Sequence, residues 1–275
     1  MTPSLRVKLL GGGLLAVGAV ITLFPYYWLA VMATNTTSDI FTTPPKLTFG
    51  PHLFGNLAEV FASIDFFGSL LNTVVVAVAT TVLVLFFDSL AAFTFAKYRF
   101  PGRDVLFGIL LATFVVPTQL AAIPQFSIMA TLGWVGDLKA LIIPAAANAF
   151  GIFWMRQYCA SALPDELLEA ARMDGCGFFR TYWNVALPVL RPALAFLGIF
   201  TFISAWNDYL WPLIIMVDSR NLTLQVALSQ LNGVYGTDYS LVMAGTLLAI
   251  LPLLVVFLIG SRHFIKNIAA GAVKG

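Results

Sequence analysis

The sequence predicts an all-α, polytopic membrane protein with six transmembrane helices. Three observations lead there. Apolar residues make up 60% of the 275 positions and charged residues only 10%, with a mean hydropathy of +0.90. The apolar residues are gathered into runs close to the roughly 20 that a helix, rising about 1.5 Å per residue, needs to cross about 30 Å of hydrocarbon. The 15 Lys and Arg residues fall unevenly into alternate gaps between those runs, and that asymmetry orients a membrane protein.

The first run, Leu9–Ala33, carries no charge, and Pro25-Tyr26-Tyr27-Trp28 reads as an outer interfacial belt. A cleaved leader ending near Val31-Met32-Ala33 is the alternative, but the run exceeds the apolar core of such a segment, about 7–15 residues. The second and third spans are Phe66–Ala96 and Val105–Ala130, joined by "KYRFPGRD" with its Pro-Gly turn. The fourth, Leu141–Tyr158, is interrupted by Pro144 and Asn148; the fifth and sixth are Ala193–Val217 and Leu241–Gly260. With both termini in the cytoplasm, 12 of the basic residues lie inside, and Lys46, Lys139 and Arg220 lie outside. The outer segments are then 34–65, 132–139 and 218–240. Cys159 and Cys176 both fall on the cytoplasmic side, where thiols stay reduced, and no metal-ligand cluster occurs.

One cytoplasmic stretch is unlike the rest: "LPDELLEAARMDGCGFFRTYWNVALP", Leu163 to Pro188. Asp165 and Glu166 suit the positive end of a short helix, Arg172 suits its other end, and Gly175 suits a left-handed stop. A second segment follows from Gly177 and ends at Leu187-Pro188, making a helix–Gly–helix elbow with Phe178, Phe179 and Tyr182 exposed unless something covers them. An amphipathic linker on lipid headgroups is one reading. Asp165, Glu166, Glu169 and Asp174 argue for a protein partner instead, since anionic lipid favours a basic face.

Glu169-Ala170-Ala171, three residues, Gly175, nine residues, Val185, one residue and Leu187-Pro188 resemble the EAA loop of permease subunits in bacterial ATP-binding-cassette importers, with Val185 in place of Ile. "AAFTFAKYRFPGR", "VVPTQLAAIPQF", "AWNDYLWPL" and the terminal "GAVKG" are similar to the carbohydrate-uptake branch, in particular to the shorter, six-span subunit of the maltose-type pair. The resemblance implies the type I importer permease fold and a hetero-oligomer in the bacterial cytoplasmic membrane. Its partners would be a homologous second permease, two ATPase subunits and an extracytoplasmic solute-binding protein.

The resemblance also implies no covalent chemistry in this chain. No G-x-x-x-x-G-K-[ST] occurs, so ATP and Mg²⁺ would be bound by the ATPases. Glu169, Ala170, Ala171, Asp174, Gly175, Phe178, Leu187 and Pro188 would then couple the elbow to an ATPase. An internal pair of Glu169 with Arg172 is the alternative role for that acid. Polar residues inside spans face protein or water, because lipid penalises them. Gln119, Asn148, Trp206, Asn207, Asp208 and Tyr209 are the candidate solute path, with Gln125 nearby, whereas Asp88 suits a hydrogen bond within the bundle. Asn232, Gly233 and Tyr235 would meet the binding protein. The rival classes are an ion-driven secondary carrier, against which no inverted repeat is evident, and a membrane enzyme, against which His52 and His263 lie on opposite sides.

Overall fold

The computed structural model describes residues 5–218, 221–233 and 236–272, with side chains from residue 11 to 259 of these, Thr118 excepted. In chain order the helices are α1 (Leu5–Ala33), α2 (Thr37–Ile40), α3 (Leu53–Ser63), α4 (Phe66–Lys97), α5 (Arg103–Val115), α6 (Ala122–Thr131), α7 (Lys139–Ile142), α8 (Ala149–Ala162), α9 (Asp165–Met173) and α10 (Phe178–Thr181). Then come α11 (Leu187–Trp206), α12 (Leu210–Ile215), α13 (Leu224–Ser229) and α14 (Tyr239–Ala272). Among the described residues the only strands, β1 (Asn232–Gly233) and β2 (Gly236–Thr237), form one antiparallel hairpin.

Among the described residues four helices are long and apolar enough to span a membrane: Gly11–Ala33, Phe66–Lys97, Phe178–Trp206 and Tyr239–Ile259. A fifth is available if α5 and the Gln119–Thr131 segment, bent by 91°, form one broken span. The bend has a local cause. Pro117 pushes Val116 out of the helical region, to φ −77° and ψ 121°, and the chain restarts as a single-turn 3₁₀ segment at Thr118–Ala121.

Two expected spans do not coincide with single helices. The fourth is not one helix over Leu141–Tyr158: α7 has four residues and α8 has 14, so α8 rises only about 21 Å. Pro144 lacks an N–H, and Asn148 adopts an extended conformation (φ −141°, ψ 150°) to cap α8 with its side chain on Gly151 N. The fifth does not run from Ala193 to Val217. It begins at Phe178, runs through a π turn at Tyr182–Ala186 and ends at Trp206. Pro188 would collide with the carbonyl four residues back in a regular helix. The wider π turn just before Leu187 accommodates it, so the expected break at Leu187-Pro188 does not occur.

The chain divides into two compact units. The first comprises Met1–Phe66 and Ala227–Pro252. The end of α1 is held there by side chains that satisfy its last carbonyls: Asn35 Nδ2 donates to Val31 O (2.8 Å) and Asn56 Nδ2 to Ala33 O (2.9 Å). Gly50 N donates to Thr34 Oγ1 at 2.8 Å, and a Cβ on Gly50 would lie 2.5 Å from Thr34 O. Asp238 starts α14 by accepting from Ser240 N (3.0 Å) and from the Thr37 hydroxyl.

The second unit comprises Phe67–Val226 and Leu253–Gly275. Its core joins Val84, Ala92 and Phe93 of α4 to Met155 and Cys159 of α8, Leu168 of α9, Tyr182 and Ala186 of the π turn, and Leu190 and Leu197 of α11. Burial of these side chains, at about 25 cal/mol per Å² of apolar surface, fixes the elbow onto the end of α4. Asp88 is fully buried in this unit. It accepts from Asn148 N and Asn148 Nδ2, both at 3.1 Å, which is the structural role expected of it. Gly151 is required beside it, because a Cβ there would lie 1.9 Å from Asp88 Oδ2.

Candidate functional site

The elbow is built from the ends of three helices. α9 has Asp165 and Glu166 in its first turn and Arg172 in its last, matching the helix dipole. It stops in a Schellman arrangement, with Cys176 N bonded to Ala171 O (2.9 Å) and Gly175 N to Arg172 O (3.0 Å). Gly175 sits at φ +74°, the left-handed region that a Cβ disfavours. Lys97, the last residue of α4, donates to Asp165 Oδ1 at 2.7 Å. That hydrogen bond and the Lys97 charge hold the Asp165 carboxyl below its ordinary range.

An aromatic cluster secures the second limb. Phe178 packs on Phe93 and Tyr98, with ring centroids 5.6 and 5.1 Å away, and the Tyr182 hydroxyl shares a 2.7 Å hydrogen bond with Ser89 Oγ. Phe178 and Tyr182, which the sequence left in need of cover, are therefore covered by the chain itself. Phe179 stays 62% exposed and Met173 88% exposed. They share the outer surface with Glu169, Ala170, Asp174 and Gly175. Ala171 faces inward, Leu187 is half-buried and Pro188 exposed. The alternative Glu169–Arg172 pair does not form: Arg172 lies over the Tyr98 ring at 5.7 Å. Among the described residues Glu169 has no ion-pair partner.

The second feature is a cavity of about 590 Å³ within the second unit. Its wall includes Pro144, Ala145 and Asn148 from the break before α8, Phe200, Thr201 and Ser204 from α11, and Asp208 from the break after it. Irregular backbone at membrane depth is tolerated where it is buried in protein or lines a cavity, so the two interrupted helices account for the space. A neighbouring cavity of about 310 Å³ shares Leu141, Pro144, Ala145 and Asp208 and adds Gln119, Gln125 and Trp211.

Of the six candidate path residues, Gln119, Asn148 and Asp208 line these cavities. Trp206 is buried instead, stacked on Phe202 at 5.6 Å. Asn207 bonds back to Ile203 O at 2.8 Å, and Tyr209 is exposed; neither is among the described residues that line these two cavities. Asn232 and Gly233 form the exposed strand β1 of the first unit, while Tyr235 lies outside the described residues. Sequence reasoning missed Thr80 and Thr223, two cavity-lining residues whose hydroxyl oxygens are buried without a hydrogen-bond partner among the described residues. Single hydroxyls in apolar runs carry no spacing signal that could have marked them. The Lys97–Asp165 tie, between residues 68 apart, was also missed.

A set of membrane-length helices, with a surface elbow continuous with one of them and a cavity of mixed apolar and polar lining beside its other end, suits the membrane-embedded component of a transport system. Residues 88–269 match the family described as "Binding-protein-dependent transport system inner membrane component", and the chain belongs to that family. It is 36% identical over 260 residues to the lactose transport system permease protein LacG of Rhizobium radiobacter, covering 94% of each chain. It is 33% identical to the arabinooligosaccharides transport system permease protein AraQ of Bacillus subtilis (strain 168), covering 92% of this chain and 91% of that one. The sn-glycerol-3-phosphate transport system permease protein UgpE of Yersinia pestis is 34% identical, with 93% of each covered. Among solved structures, a bacterial ABC transporter that imports the acidic polysaccharide alginate superposes with a TM-score of 0.80 at 26% identity, covering 96% of this chain and 99% of that one. A second alginate transporter structure, in complex with a periplasmic protein bound to alginate pentasaccharide, shares the fold, with a TM-score of 0.65 at 15% identity over 94% of both chains.

Proposed function

We propose that this chain is one of two homologous permease subunits of an ATP-binding-cassette importer for a carbohydrate or related solute. Two separate ATPase subunits bind ATP and Mg²⁺ and drive it, and a solute-binding protein feeds it from outside the cytoplasmic membrane. The observation that carries the reading is the single helical rod Phe178–Trp206, 29 residues long and so about 43 Å. One end is the second limb of the elbow and the other borders the cavity. Force applied to the elbow therefore reaches the cavity wall without crossing a loop.

In this reading the elbow lies in the cytoplasm, seated in a groove of one ATPase. Glu169 makes a charge-assisted contact there, Met173 and Phe179 bury apolar surface, and Ala170 allows close approach. Closure of the ATPases tilts the rod and opens the cavity alternately to either side of the membrane. Both termini are cytoplasmic, and the segment 218–240 reaches toward the binding protein. Lactose and arabinooligosaccharides in the names of relatives support the carbohydrate assignment; family membership favours this class over an ion-driven carrier.

The test is reconstitution. The four-subunit complex should co-purify, and uptake into proteoliposomes should require internal ATP. Glu169→Lys should reduce uptake at least tenfold while membrane insertion of the chain is unchanged. Uptake by the isolated chain, driven by an ion gradient, would refute the reading.

A further inference from the structure

We propose that a cavity between the end of α4, the start of α5 and the elbow helix α9 holds the phosphate of an anionic phospholipid headgroup. This site is separate from the solute path and from solute identity. It needs only that α4 and α5 lie in the membrane.

The cavity measures about 590 Å³, and its charged lining is Lys97, Arg99, Arg103, Asp165, Glu169 and Arg172. The elbow helix alone is acidic, with Asp165, Glu166 and Glu169 against Arg172. The cations come from the connector between α4 and α5 where it meets that helix. Two of them are already neutralised, Lys97 by Asp165 at 2.7 Å and Arg103 by Asp104 at 2.9 Å. Among the described residues Arg99 and Arg172 have no ion-pair partner, and the one unpaired acid in the lining is Glu169. One positive charge is left over, the complement of a single phosphodiester. Arg99 and Arg172 are both exposed, so an incoming group can reach them, and a guanidinium fork matches phosphate oxygens two at a time.

The surroundings point to a lipid as the source of that phosphate. Lys97 is the last residue of a 32-residue apolar helix, so the cavity lies where α4 leaves the hydrocarbon. An adjoining cavity of about 380 Å³ shares Arg99 and Arg103 and extends to Val105. From there Val105, Leu106 and Ile109 of α5 are large apolar side chains left exposed. Their spacings of three and four residues put them on one side of the helix. A phosphate seated among the arginines leaves its acyl chains to run along this stripe. Basic pockets beside membrane helices suit anionic headgroups in this way. An acidic protein segment would use the arginines but not the stripe.

Binding of phosphatidylglycerol to the purified transporter in neutral detergent, against a phosphatidylcholine background, tests the proposal. Native mass spectrometry should show phosphatidylglycerol retained on the complex. Arg99→Gln with Arg172→Gln should weaken its binding about tenfold, through lost charge-assisted hydrogen bonds. Arg99→Gln alone, which leaves the elbow helix unaltered, should give part of that loss. Arg180→Gln removes an exposed elbow arginine that lines neither cavity and should bind as wild type does. Phosphatidylcholine held as tightly as phosphatidylglycerol would overturn the proposal, as would equal losses at Arg99 and Arg180. Displacement of the lipid by millimolar inorganic phosphate would assign the site to a free anion instead. Phosphatidylglycerol that binds only after partner subunits are stripped away would assign it to an acidic segment of a partner. Either result overturns the lipid assignment.

Discussion

Gly175 sets the angle of the elbow through backbone conformation alone. A Cβ there would touch nothing within 4 Å, so the constraint is the φ of +74° that closes the Schellman turn. Gly175→Ala should therefore destabilise the elbow by about 1–2 kcal/mol. Gly177, at φ −75° and equally uncrowded, should accept alanine within about 0.5 kcal/mol. Thermal unfolding of the purified complex separates the two, and equal losses at both positions would contradict the conformational explanation. At this scale the sequence was informative wherever a residue type has a backbone or charge preference. Gly175, the acids of α9 and the structural role of Asp88 were all legible. Thr80 and Thr223 were not, because an unpaired hydroxyl is a property of what surrounds a threonine.

Among elements, the tie between α4 and α9 has a defined dependence on acidity. The Lys97 ammonium is nearly enclosed while Asp165 is open to solvent, and the hydrogen bond from Lys97, with its charge, lowers the Asp165 pKa. A carboxyl whose pKa falls on folding contributes stability above its unfolded value, about 4, and loses it as pH drops through the lower folded value. Wild type should thus exceed Asp165→Asn by a constant thermal margin above about pH 5, and the margin should shrink on further acidification. A margin that persists unchanged to pH 3 would show that the pair does not link the helices. Helix existence was readable from apolar runs, but helix continuity was not. Pro144 and Pro188 both interrupt regular hydrogen bonding, yet one coincides with a break and the other is absorbed by a π turn. The difference lies in packing: Tyr182 and Ala186 of the π turn are buried in the core of the second unit, whereas Pro144, Ala145, Ala147 and Asn148 line a cavity.

Across the whole molecule, one helical rod has the elbow at one end and the cavity at the other. Its elbow end presents Glu169 and Asp174; its cavity end presents Ser204 and Asp208. A helix turns about 100° and advances about 1.5 Å with each residue, so the two ends share an angular phase as well as a distance. One alanine inserted between Leu194 and Ile203 would add hardly any length but would rotate one end by more than a quarter-turn relative to the other. ATP hydrolysis and solute movement, measured together in proteoliposomes, should then come apart: the motor would still turn over while the cargo stayed put. On the proposed permease reading, the register of that shaft, more than the chemistry at either end, decides whether fuel consumption does work.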